Sequence, residues 1–140
     1  MNFKDIHIGI LIAQRVAESG LKTIRICNFL KCNEKEILEM YQSKSLDVEI
    51  ILKWSKLLEY DFFRLYTQHL ILYAPQLATH KALTTTKSEL PAFRKNIYTK
   101  EVIDFILELI ETGEKTKAQV IQEYSIPKTT LYKWIDKYKS

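Results

Sequence analysis

From Ile6 to about Tyr66, apolar positions recur every three or four residues, the period that lines one face of an α-helix. The recurrence breaks at Gly20, near Lys31-Cys32-Asn33 and at Lys44-Ser45. These breaks predict four helices, at roughly 6–18, 23–30, 34–43 and 48–59. Gly20 can stop the first, because glycine takes the left-handed conformation at a helix end without a Cβ penalty. Asn33 followed by Glu36 resembles a capping box for the third, and Asp47 is an N-cap for the fourth. Ile51, Trp54, Leu57 and Leu58 fall on one stripe of that fourth helix.

The pattern dissolves from about Pro75 to Asn96, where Ala, Thr, His, Lys and Ser predominate, and the segment reads as a flexible, slightly basic linker. Before it, His69-Leu70-Ile71-Leu72-Tyr73 fits either a helix end or a short strand. Helical periodicity returns at Thr99, with Val102, Phe105, Ile106, Leu109 and Ile110 on one face and Gly113 as the stop. Thr116 and Gln119 form a capping-box pair for a helix over 117–124. Leu131, Trp134, Ile135 and Tyr138 then mark the buried face of a final helix. The 140-residue chain has only three Gly and three Pro, so the expected fold is all-α. Its domains are a helical domain over 1–66, a linker over 67–98 and a second helical domain over 99–140.

Charge sharpens the division. The net charge is +4, but residues 99–124 sum to −3 and residues 125–140 to +3. The basic surplus therefore sits in the linker and the last helix, a mild pointer to a polyanionic partner. No apolar run is long enough to span a bilayer. The start, Met1-Asn2-Phe3-Lys4-Asp5, lacks a secretory pattern, and the expected location is cytoplasmic. Cys27 and Cys32 stand among apolar residues and His7, His69 and His80 are scattered, so no metal site is expected and both cysteines are assigned to the core.

A helix-turn-helix needs two short helices joined by a tight turn, with apolar residues tying the second helix down. Ile121, Ser125, Ile126, Leu131 and Trp134 fit those places in the last segment. Cys27, Lys31, Cys32, Ile37 and Met40 fit them in the first, at a constant spacing of 94 residues. Two generic helical hairpins remain the plainer alternative. The run from Glu123 to Trp134, above all Thr130-Leu131-Tyr132-Lys133-Trp134, resembles the helix-turn-helix of bacterial insertion-sequence transposases. Residues 8–65 more weakly resemble the Cro-like phage-repressor domain. The resemblances imply two helix-turn-helix modules, the C-terminal one binding the ends of a mobile element while a separate catalytic subunit does the chemistry. The sequence departs from the family pattern at Ser125 and Lys31, where glycine is usual, at the bulky Ile121, and at Pro127, which replaces a serine cap.

With Leu131 and Trp134 inside, Lys128, Thr129, Tyr132, Lys133 and Lys137 face outward on the last helix, and Thr130 completes the candidate DNA-binding set. Arg94 and Lys95, with Lys100 behind them, form a candidate arm along the backbone or minor groove. The third helix instead exposes Glu34, Lys35, Glu36, Glu39 and Gln42, whose carboxylates repel phosphate. Its module is assigned as readily to dimerisation or partner contact as to DNA binding. No catalytic residues and no cofactor are expected. The expected partner is double-stranded DNA, and the expected function is that of the non-catalytic DNA-binding component of a transposase. A dimeric transcriptional regulator and a helical adaptor without DNA binding are the alternatives.

Overall fold

Capping chemistry sets the helix ends. The Ile10 amide donates to His7 Nδ1 at 3.1 Å, so α1 spans Ile8–Ser19 and starts two residues after the apolar pattern does. It ends at Gly20, whose φ of 70° is left-handed. Helix α2 (Thr23–Leu30) ends at Lys31, and α3 (Glu34–Gln42) begins after Asn33, which accepts from the Glu36 amide at 2.8 Å. Asp47 accepts from the Glu49 amide at 3.1 Å and opens α4 (Val48–Leu58). Helix α5 is Phe63–Tyr73, followed by α6 (Lys100–Glu111), α7 (Lys117–Tyr124) and α8 (Lys128–Tyr138). The structure, a computed structural model, describes residues 1–74, 88–91 and 97–138. Among these residues all regular secondary structure is helical, with no strand.

The chain separates into two compact units that divide within α5, one comprising Asn2–Tyr66 and the other Thr67–Ser140 with Met1. In the first unit, Ile8, Ile12, Ile26, Ile37, Trp54 and Phe62 are almost completely buried. The Trp54 indole donates to Met40 Sδ at 3.4 Å and its ring lies 5.9 Å from that of Tyr41. Gly9 lets α1 meet the end of α3 backbone to backbone. Its amide donates to the Ser43 carbonyl at 3.0 Å, and the Ile8 amide donates to that of Lys44 at 3.1 Å. A Cβ on Gly9 would lie 2.4 Å from the Met40 carbonyl oxygen and 2.5 Å from that of Tyr41.

In the second unit, Ile71, Leu72, Val102, Ile106, Val120, Ile126 and Leu131 form the core. Gln68 is fully buried and both ends of its amide are used: Nε2 donates to the Ile97 carbonyl and Oε1 accepts from the Thr99 amide at 3.0 Å. This cross-link satisfies a polar side chain inside the core and fixes the backbone that enters α6. Tyr98 in the same segment packs edge-on against Trp134, with ring centroids 4.9 Å apart. The expected linker over 67–98 thus needs correction at both described ends. Thr67–Tyr73 is helical, which resolves His69–Tyr73 as helix, and residues 97 and 98 are anchored. The rest of it, over 75–87 and 92–96, lies outside the described residues.

Candidate nucleic-acid interface

Helices α7 and α8 are placed by three local devices. Thr116 and Gln119 close a full capping box: the Gln119 amide donates to Thr116 Oγ1 at 3.2 Å and the Thr116 amide donates to Gln119 Oε1 at 2.8 Å. A three-residue turn follows α7, and Ser125 takes the left-handed conformation there with φ 53°. Pro127 then offers no side-chain cap, and its carbonyl accepts the first helical bond of α8 from the Leu131 amide at 3.0 Å.

The first unit repeats this frame. Helix α2 and α7 both have eight residues and begin 94 residues apart, α3 and α8 begin 94 residues apart, and Lys31 matches Ser125 with φ 55°. Both turn residues therefore adopt the conformation that glycine reaches at lower cost, as their placement in the pattern required. The Cys32 amide donates to the Cys27 carbonyl at 3.1 Å, the six-to-one bond of a Schellman turn. Cys27 and Cys32 are free and half-buried rather than fully in the core. Burial, and then the neighbouring Cys27 and Glu36, push the Cys32 thiol above its ordinary range, so it is a poor nucleophile. Ile121 is likewise half-buried, and the fully buried residues at this level are Val120 and its counterpart Ile26.

On α8, Leu131 and Trp134 point inward while Lys128, Thr129, Tyr132, Lys133 and Lys137 are exposed, as the periodicity predicts. Thr130 is half-buried at the edge of that face. Tyr138, expected on the buried stripe, is 37% exposed, because it closes the final turn, where Lys137 Nζ stands 5.2 Å from its ring centroid. Arg94 and Lys95 lie outside the described residues, and Lys100 is exposed at the start of α6.

The structure adds Lys117 to this set. Its Nζ lies 5.3 Å from the Tyr132 ring centroid, and Lys128 Nζ lies 5.6 Å from the same centroid. Two helices thus bring two ammonium groups onto one exposed ring. The only signal for Lys117 in the sequence was its place directly after the Thr116 cap. Among the described residues, Lys117, Lys128, Lys133 and Lys137 have no carboxylate partner. Lys115, by contrast, is paired with Glu123, and that hydrogen bond raises its pKa above the ordinary lysine value. Asp136 is the one carboxylate on the outer side of α8.

The exposed positions of α3 differ in chemistry: Glu34, Lys35, Glu36, Leu38, Glu39 and Gln42. The described residues contain no cluster of three His, Cys, Asp or Glu able to hold a metal, and no helix among them is long and apolar enough to cross a membrane. Comparison with protein-family models, with curated proteins and with solved structures gives no match.

Proposed function

We propose that this protein binds double-stranded DNA through the exposed face of α8, with α7–turn–α8 acting as a helix-turn-helix. The observation that carries the reading is the group Lys117, Lys128, Lys133 and Lys137, unpaired with carboxylates among the described residues: the first two stand over the Tyr132 ring, and the last two are exposed on the same helix as Tyr132 and Thr129. Such ammonium groups bind phosphates by releasing counterions, and a helix face of Lys, Thr and Tyr can also reach base edges. The matching turn conformations at Lys31 and Ser125 support the helix-turn-helix reading of both units. The resemblance of Glu123–Trp134 to insertion-sequence transposases supports a role as the DNA-recognising component of a transposition system, with catalysis supplied by a separate subunit. The carboxylates and exposed Leu38 on α3 favour protein contact over DNA contact for the first unit, consistent with assembly of more than one copy.

The test is binding of the full chain to duplex DNA, titrated with salt. Neutralisation of four phosphates gives a slope of about −3.6 in log K against log salt, and each of Lys133→Ala and Lys137→Ala should reduce it by about 0.9. Lys117→Ala should weaken binding, and Asp136→Asn should tighten it. No binding by the folded chain at low salt refutes the proposal.

A further inference from the structure

The common frame of α2–α3 and α7–α8 sets the two outward faces position against position. Lys128, Tyr132 and Lys133 on α8 have Glu34, Leu38 and Glu39 as their counterparts on α3, and all six are exposed. Each lysine is thus matched by a carboxylate at the same helical position, and the exposed ring by a leucine that is 53% exposed. None of the four charged residues has an oppositely charged partner among the described residues.

We propose that the α3 face carrying Glu34, Leu38 and Glu39 docks onto the α8 face carrying Lys128, Tyr132 and Lys133 of a second copy of this chain. The proposal rests on the reading of the α8 face as a surface for polyanions: the carboxylates take the place of phosphates, and Leu38 covers part of the Tyr132 ring. Opposite charges at the same spacing around an apolar centre are what electrostatic complementarity requires. Lys35 on α3 and Asp136 on α8 lessen the contrast without reversing it. The contact is heterologous, so a bound pair leaves one face of each kind free for further copies. One helix face is a small interface, so the association is weak and sensitive to salt. DNA carries denser charge and competes for the same lysines, so at any one α8 face DNA binding and docking exclude each other.

Sedimentation of the full chain tests this. At about 50 mM salt, where the Debye length is long, the average mass should rise with protein concentration, and at about 500 mM it should not. The double variant Glu34→Lys/Glu39→Lys should associate about tenfold more weakly or worse, and so should Lys128→Glu/Lys133→Glu. Mixing the two charge-reversed chains should restore association, which also shows that both are folded. A wild-type chain that stays monomeric at low salt, or association indifferent to both reversals, or a mixture that fails to associate, overturns the proposal. DNA binding is read separately on Glu34→Gln/Glu39→Gln, which removes the docking charges, leaves α8 intact and adds no phosphate-binding cation to α3. If that variant fails to bind DNA while the wild type self-associates, the DNA reading falls and the docking stands; binding without self-association has the reverse meaning.

Discussion

Replacing Gly9 by alanine tests the packing that holds the first unit together. The new Cβ would lie 2.4, 2.5 and 2.6 Å from the carbonyl oxygens of Met40, Tyr41 and Ser43, all of them backbone atoms that no side-chain rotation can clear. Helix α1 must therefore move away from the end of α3. That movement lengthens the bonds from Ile8 to Lys44 and from Gly9 to Ser43, now 3.1 and 3.0 Å, and loosens the contacts of Ile8 and Ile12. Losing two such bonds costs about 1–3 kcal/mol, and steric overpacking about 1–3 kcal/mol. The better helix propensity of alanine returns up to about 1 kcal/mol. The net loss falls between about 1 and 6 kcal/mol and centres on about 3 kcal/mol, which lowers the melting temperature of a unit this small by about 12–24 °C. Gly20→Ala is the comparison, because Gly20 has φ 70° and a Cβ added there would meet nothing within 4 Å; only the conformational cost remains, about 1 kcal/mol. Calorimetry of both variants reads the difference. A Gly9→Ala protein that melts no lower than the Gly20→Ala protein would refute the close approach of α1 to α3.

Two further expectations concern stability. Gln68→Leu keeps the volume but leaves the Ile97 carbonyl and the Thr99 amide without their partner, which should cost about 2–4 kcal/mol in urea unfolding; unchanged exchange of the Thr99 amide would count against the cross-link. Asp5 lies 2.6 Å from Lys44, whose hydrogen bond, and then its charge, hold the carboxyl below the usual aspartate range. A depressed pKa in the folded state means that this contribution is present above the ordinary value and fades as pH falls through the lowered one. Asp5→Asn should therefore melt below the wild type at neutral pH, and the gap should close below about pH 4. A gap that persists at low pH would show that the ion pair does not cause it.

Local chemistry made much of the fold legible. Asn33, Asp47 and Thr116 cap helices because short polar side chains satisfy the amides at a helix start, whatever the tertiary context. The inward stripe of Leu131 and Trp134 follows from the helical period, and with it the outward lysines. The left-handed turns at Lys31 and Ser125 follow from their place between two helices. Other features depend on residues far apart in the chain. Gln68 reads as an ordinary surface amide until Ile97 and Thr99, about thirty residues on, bring it two partners. Tyr138 keeps the period of the buried stripe, yet it closes the last turn and is left partly exposed.

The candidate site divides the same way. Periodicity placed Lys128, Thr129, Tyr132, Lys133 and Lys137 on one face, since a single helix decides which of its residues share a side. It said nothing of Lys117, which reaches Tyr132 only because the turn at Ser125 folds α7 back toward α8. Gly9 is similar: in the sequence it is a weak residue near a helix start, and only the end of α3 shows why a Cβ would not fit. The sequence determined what depends on neighbours within a turn or two, namely helix limits, caps and faces. The tertiary structure decided what depends on approach between helices, because backbone spacing and the pairing of buried polar groups are properties of two elements at once.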